Sequence, residues 1–150
     1  MKFKWILLSP VIVLILAIVF CEVNKAYWDH KVKQWCKADG GVKVYENVFL
    51  SKSDYEKLIA PLYKKNYGDY IYHRVIFKDE VFNKDPLVWR SEQEIVRFID
   101  KKSLGVQVNY SRRGGDFPTG FVHESHFGCG KVNGINMDII GSIFIIREQL

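Results

Sequence analysis

The chain has 150 residues, of which 48% are hydrophobic and 15% aromatic, and its formal net charge is +5. This charge is too small to indicate nucleic-acid binding, so we expect no nucleic-acid partner. The length that follows the first 23 residues is that of one ordinary domain with its own core.

The N-terminus carries a candidate membrane segment. Lys2 and Lys4 precede an uncharged run from Trp5 to Cys21, which Glu22 ends. Its 17 residues are the lower limit for a helix that crosses a bilayer. A lipoprotein signal is disfavoured because Phe20 precedes the cysteine, and a cleavable signal because the apolar core is long. An uncleaved signal anchor over residues 1–23 is favoured, with residues 5–21 in the lipid bilayer.

The remaining residues, 24–150, are predicted to form a single extracytoplasmic domain. A short basic tail before an apolar run has the general form of an export signal, which favours an N-terminus inside the cell. Trp28, Val32 and Trp35 recur at helical spacing between Asn24 and Ala38, and Gly40 and Gly41 form the stop. We expect this amphipathic helix to continue directly from the membrane helix.

A strand and a second helix are predicted next. Val42 to Leu50 alternates as a strand does, and Ser53 to Glu56 has the form of a capping box before a helix. Pro61 should kink or shorten that helix.

The rest of the chain predicts a sheet. Tyr70–Lys78, Ile95–Ile99 and Val106–Tyr110 have the patterns of strands, and residues 111–136 are rich in Gly, Asn and Ser and predict a long loop with short extended pieces. Ile139–Ile146 predicts a buried strand. The fold class is therefore α+β: a transmembrane helix continuing into an amphipathic helix, then a small, mostly antiparallel sheet with one short helix.

Cys36 and Cys129 are the cysteines that lie outside the apolar run. In an oxidising compartment, two such cysteines in a small domain predict a disulfide. A closed loop of roughly 90 residues would stabilise the fold by about 4–5 kcal/mol in the chain-entropy description. A pair of free thiols is the simplest alternative. With His123 and His126 the two cysteines could instead make a Cys2His2 zinc site.

The turn from Arg112 through Arg113, Gly114 and Gly115 to Asp116 is the candidate binding surface. Two guanidinium groups beside glycine backbone suit a carboxylate or phosphate group. Both arginines would then be replaceable without loss of the fold. The alternative is a turn whose arginines pair with nearby carboxylates.

Two blocks, residues 35–46 and residues 110–118, resemble small single-span membrane-anchored proteins of proteobacteria that have no known activity. The resemblance implies a Gram-negative envelope location, with the helix in the inner membrane and the domain in the periplasm. The overall plan is also similar to type IV pilins, although the chain has no Gly before the apolar run and no Glu within it.

Three functions follow from these features. The first is an envelope protein whose domain contacts another protein, as an immunity factor or a subunit of a membrane assembly would; it is not an enzyme and needs no cofactor. The second is a metal-assisted hydrolase that uses His123, His126 and a carboxylate such as Asp116 or Glu124. The third is a pilin-like structural subunit. The chain contains no nucleophile elbow, P-loop or dinucleotide fingerprint.

Overall fold

The computed structural model describes residues 2–59, 73–115 and 125–147, which form helices and a largely antiparallel sheet. The elements in chain order are α1 Lys2–Asp39, β1 Gly41–Val44, β2 Val48–Leu50, α2 Lys52–Ile59, β3 His73–Lys84, β4 Leu87–Arg97, β5 Ser103–Arg113, β6 His126–Gly128, α3 Ile139–Ile143 and β7 Phe144–Ile146. A 3-10 turn covers Cys129–Lys131. The predicted α+β class is confirmed.

Helix α1 is one continuous element that begins in the apolar run and ends inside the domain. Its apolar side chains between Val11 and Val23 include nine that are 50–71% exposed, whereas Val32 and Cys36 are buried. Pro10–Asp39 is long and apolar enough to cross a membrane, and a bilayer would cover the exposed apolar surface. The predicted continuation of the membrane helix into the domain is confirmed.

Strand β5 is the centre of the main sheet, whose strand order is β1-β5-β4-β3. All of these pairs are antiparallel. One edge of β5 pairs along its length with β4. The other edge is shared by β1, which pairs with residues 105–108, and β6, which pairs with residues 111–113. β2 and β7 form a separate parallel pair.

Helix α1 lies along β5 and runs antiparallel to it. Asp29 bonds to Arg112, and the rings of Trp35 and Tyr110 are 5.6 Å apart. The helix covers the face that carries the even-numbered residues of β5, which we call the helix face. It ends at Asp39 and leaves the helix face open beyond that point.

Two hydrophobic clusters stabilise the domain. The cluster beneath α1 is formed by Val32, Cys36, Val88, Val108, Tyr110, Cys129 and Val132. The second cluster joins α2, α3 and the β2–β7 pair to the far end of the sheet, through Leu58, Ile95, Leu104, Ile139, Ile143 and Phe144. The sheet therefore has one end near the N-terminal part of α1, toward the apolar run, and a distal end at the β4–β5 turn.

The predicted disulfide joins Cys36 to Cys129, with their Cα atoms 5.3 Å apart. Both residues are buried, and the bond fastens α1 to the segment that follows β6. Gly40 packs directly against it, since a Cβ on Gly40 would lie 2.7 Å from the Cys36 Cα and 2.8 Å from the Cys129 Sγ. Gly41 then has a φ of +102°, which turns the chain from the helix into β1.

The prediction of one strand from Val42 to Leu50 is wrong. The chain turns at residues 45–47, because the backbone amides of Tyr45 and Glu46 both donate to the Leu104 carbonyl, at 2.9 and 3.1 Å. The Glu46 carboxylate also binds Arg97 and, at 2.8 Å, the Lys102 Nζ. These long-range contacts separate β1 from β2.

The predicted strand over Ile139–Ile146 is also wrong in its first half. Asp138 accepts a hydrogen bond from the Gly141 amide at 2.9 Å and so caps α3, and only Phe144–Ile146 is extended. The second helix begins two residues earlier than the predicted capping box implies, at Lys52, because the Ser51 hydroxyl accepts a hydrogen bond from the Asp54 amide. The expected kink at Pro61 lies outside the described residues.

The three predicted sheet strands are longer in the structure, although the predicted strand Ile95–Ile99 ends at Arg97, with Phe98 and Ile99 in a turn. The predicted residues 70–72 lie outside the described residues. β3 continues to Lys84 and β4 begins at Leu87, so the two form a long hairpin closed by Asp85 and Pro86. The predicted loop over residues 111–136 contains the end of β5, β6 and the 3-10 turn among its described residues.

Replacing Gly40 with alanine should destabilise the full-length protein by about 1–3 kcal/mol, because the new methyl group has no room beside the disulfide. Chemical denaturation in detergent micelles measures the change. Gly130→Ala is the matched control, since a Cβ at Gly130 meets nothing within 4 Å. Equal effects of the two substitutions would contradict the packing role of Gly40.

Candidate functional site

Arg112, the first residue of the predicted binding turn, is a buried structural residue. Its Nε donates to the Asp29 Oδ1 at 2.5 Å, and its Nη1 donates to the Gly114 carbonyl at 2.7 Å. The side chain has no exposed surface. The expectation that Arg112 binds an external anion is therefore corrected: the guanidinium joins β5 to α1, as the alternative of internal pairing describes.

The remaining turn residues have different surroundings. Arg113 is exposed. Gly114 and Gly115 have φ values of +82° and +79°, which L-residues rarely adopt, so the turn depends on glycine. A Cβ on Gly115 would lie 3.1 Å from the Pro86 Cβ. Asp116 lies outside the described residues, and Arg113 is the one member of the turn that offers a free charged group within them.

The zinc alternative does not hold, because Cys36 and Cys129 are joined to each other and have no thiolate to offer a metal. His126 is exposed, with its ring 6.3 Å from that of Trp89. His123 and Glu124 lie outside the described residues. Within the described ranges, no group of three or more His, Cys, Asp or Glu side chains could hold a metal ion.

An open groove of about 280 Å³ lies on the helix face where α1 stops. Asp39 lies at one end of the groove, and charged side chains of the sheet make up most of the remaining lining. Its lining is Asp39, Lys43, Tyr45, Lys78, Arg90, Glu92, Glu94, Val106 and Val108. We call it the charged groove. Equal numbers of acidic and basic side chains line it, so it suits a partner surface that also carries both signs.

The charges in the groove form a connected network. Arg90 bonds to Glu92 at 2.7 Å and lies 3.7 Å from Asp39, which binds Lys43 at 2.5 Å. Lys78 reaches Glu92 from β3 at 3.3 Å. Because the carboxyl groups accept these bonds in their ionised form, the pKa of Glu92 is lowered mainly by Arg90, and the pKa of Asp39 mainly by Lys43.

β3 is the outer strand of the sheet in the described part of the chain. Every residue from Ile76 to Phe82 is exposed, including four large apolar ones: Ile76 by 37%, Phe77 by 48%, Val81 by 57% and Phe82 by 43%. We call residues 76–82 the β3 edge. Lys78 belongs both to this edge and to the charged groove, so the two surfaces are continuous.

Sequence patterns alone did not find this surface. The alternation that predicts a strand is interrupted at Asp79 and Glu80, so the predicted strand ends at Lys78. The available signal was the Asp85-Pro86 turn followed by the apolar residues Leu87, Val88 and Trp89, which together indicate a hairpin. Asp29 and Arg90 carried no local signal, because their partners are distant in the sequence.

Comparison of the chain with protein-family models, with curated proteins and with solved structures finds no match. The chemistry of its own side chains is therefore the basis on which a function can be proposed. Among the described residues, the β3 edge and the charged groove offer a continuous accessible surface with both apolar and charged groups.

Replacing Arg112 with alanine should destabilise the protein by about 3–5 kcal/mol, because the charged bond between the buried Arg112 and the largely buried Asp29 is lost. Arg113→Ala is the control from the same turn, and it should change stability by less than about 0.5 kcal/mol. Thermal or chemical unfolding of the two full-length variants gives the comparison. Similar stabilities would show that the Arg112–Asp29 bond is dispensable.

Replacing Glu92 with glutamine should reduce the acid sensitivity of the fold. A carboxyl group whose pKa is lowered on folding stabilises the protein above its unfolded pKa, and that contribution is lost as pH falls through the lower, folded value. For Glu92 the loss begins near its ordinary value of 4.5 and continues below it. The free energy of unfolding of the variant should therefore vary less with pH in this range. Superimposable pH profiles would contradict the network.

Proposed function

We propose that the protein is a single-pass membrane protein of the bacterial envelope whose periplasmic domain binds another protein through the β3 edge. The observation that carries the proposal is the run of seven exposed residues on the strand that is outermost in the described part of the chain. Ile76, Val81 and Phe82 are large apolar members of this run. Large apolar side chains exposed together on one strand are typical of interaction sites.

The proposed location has two supports. Helix α1 has an exposed apolar surface in its N-terminal half that a bilayer would cover. The buried disulfide between Cys36 and Cys129 is the kind of bond that persists in oxidising compartments, of which the periplasm is one. With the N-terminus in the cytoplasm and α1 in the inner membrane, the domain faces that compartment.

The partner would bind as an added strand. Outer strands have backbone amide and carbonyl groups on one side that can pair with an extended segment of another chain. Side chains of such a segment would alternate between the two faces of the sheet. Those on the helix face would lie beside Lys78 and the charged groove, where a segment with charges of both signs would find partners.

A second copy in the same membrane does not suit this edge. Antiparallel pairing of two β3 strands requires a two-fold axis perpendicular to the sheet, which reverses the direction of every element that lies along it. Because α1 lies along β5, the two membrane helices would leave such a dimer in opposite directions. One bilayer cannot accept both, so the proposed partner is a different protein.

A photoreactive phenylalanine analogue at Val81 should form a covalent adduct with a second protein in the native membrane. The same analogue at Ile99, which is 89% exposed in the distal turn, is the matched control and should form none. The adduct mass after denaturing electrophoresis identifies the occupant.

A competing substitution makes the test specific to the edge. With the analogue at Ile76, Val81→Lys should abolish the adduct, because a charge at the centre of the β3 edge opposes an apolar partner. Phe49→Lys, at an exposed apolar residue of β2, should leave the adduct unchanged. An adduct of two copies of the chain, equal labelling from Ile99, or no adduct would overturn the proposal.

A further inference from the structure

The spacing along α1 places the start of the domain within the lipid head-group layer. The apolar run ends at Cys21, and Lys25 is already fully buried in the domain. Four residues of α-helix advance by about 6 Å. The head-group layer of one leaflet is on the order of 5–8 Å thick, by the difference between the full bilayer and its hydrocarbon core. The domain surface around Lys25 therefore meets the head groups.

The parts of the sheet at this depth are identified by their contacts with Lys25. A Cβ on Gly115 would lie 3.3 Å from the Lys25 Cγ and 3.1 Å from the Pro86 Cβ. The end of β5 and the β3–β4 turn are therefore level with Lys25. Lys25 itself is held by Glu22 at 2.8 Å and is turned into the protein.

Three exposed side chains form a row across the strands at this end. Leu87 of β4 lies opposite Arg113 of β5, and Arg113 lies opposite His126 of β6. Residues that are paired in this way project from the same face of a sheet, which here is the face opposite α1. We call these three residues the membrane-proximal row.

The chemistry of the row suits a phospholipid surface. Arg113 has no carboxylate partner within the described ranges, and its guanidinium can donate two parallel bonds to a phosphate group. Leu87 is 38% exposed beside it and supplies an apolar contact. Trp89 follows on the same face next to His126, and Trp is enriched at membrane interfaces.

We propose that the membrane-proximal row binds the head groups of anionic phospholipids, with Arg113 on the phosphate and Leu87 at the level of the glycerol backbone. Among the described residues nearby, Lys84 and Asp85 carry opposite charges, and Arg113 is the exposed cation of the row itself. This binding holds the sheet upright on the leaflet from which α1 emerges. It rests on insertion of α1 in a bilayer and not on the partner of the β3 edge.

The test uses the full-length protein in nanodiscs, with the native thiol removed by Cys21→Ala and the disulfide intact. A spin label at Leu87→Cys should be shielded from a water-soluble relaxation agent in discs that contain phosphatidylglycerol. A label at Ile99→Cys is the matched control. Ten residue steps along β4 place the membrane-proximal row about 33 Å from the distal turn, so this control label should be fully accessible. Equal accessibility of the two labels would overturn the proposal.

A charge reversal tests the role of Arg113. In phosphatidylglycerol discs, Arg113→Glu should lower the ratio of shielded to accessible Leu87→Cys label at least fivefold, because loss of one basic residue at an anionic surface alone corresponds to about 1 kcal/mol. Arg113→Lys should retain most of the shielding. Lys52→Glu, an equal charge change at the distal end of the domain, should have no effect.

A comparison of two lipids distinguishes binding to anionic head groups from shielding that results only from the position of the label near the bilayer. In phosphatidylcholine discs the shielding of the label should be weaker, and Arg113→Glu should not change it. Shielding that is the same in both lipids and unaffected by the reversal would overturn the anionic-lipid assignment. Because the discs contain no envelope protein besides this chain, a partner from the envelope cannot produce the shielding. Label accessibility that responds only to added membrane protein, and not to phosphatidylglycerol, would likewise overturn the proposal.

Discussion

The attachment of α1 along β5 is the constraint on which the other features of the molecule depend. It is made by the disulfide between Cys36 and Cys129, by the bond between Arg112 and Asp29, and by apolar packing around Val32. Because one helix is both the membrane segment and a layer of the domain, no hinge separates the two. The sheet therefore has a defined direction relative to the apolar run, with β5 running toward that run and the β4–β5 turn pointing away from it.

The charged residues have different roles according to their position along the sheet and the face from which they project. Arg112 is buried at the membrane-proximal end and bonded to the protein, which removes it from competition for external anions. Arg113, its neighbour in sequence, projects from the opposite face because side chains alternate along a strand. The groove charges lie farther from the membrane, where the end of α1 at Asp39 leaves the sheet uncovered. The part of β5 that α1 covers therefore determines which of these charged residues are buried and which are accessible.

The two proposed interactions are compatible because they use different edges and ends of the sheet. Lipid contact would involve the ends of β4, β5 and β6 nearest the bilayer, whereas the β3 edge faces sideways, parallel to the membrane plane. A domain held upright by both a rigid helix and its own lower surface would present β3 at a constant height. An extended segment of another membrane protein would therefore meet this edge with less orientational freedom to lose on binding.

The sequence alone was enough to predict the elements that depend on neighbouring residues, namely α1 and the alternating strands. The uncharged run, the helical spacing of Trp28, Val32 and Trp35, and the Gly40-Gly41 stop were enough to predict α1, and the α+β class followed from the alternation in the later segments. The pairing of Cys36 with Cys129 was predictable because so few cysteines lie outside the apolar run.

Tertiary structure decided the rest, because the responsible contacts join residues far apart in the chain. The turn that separates β1 from β2 depends on the Leu104 carbonyl. The parts of β3 and β4 that the alternation missed are paired with each other across the hairpin, and polar residues such as Lys78 and Glu92 bond between the two strands. The two adjacent arginines were equivalent in the sequence. Only the arrival of Asp29 on one side of β5 made Arg112 a structural residue and left Arg113 at the surface.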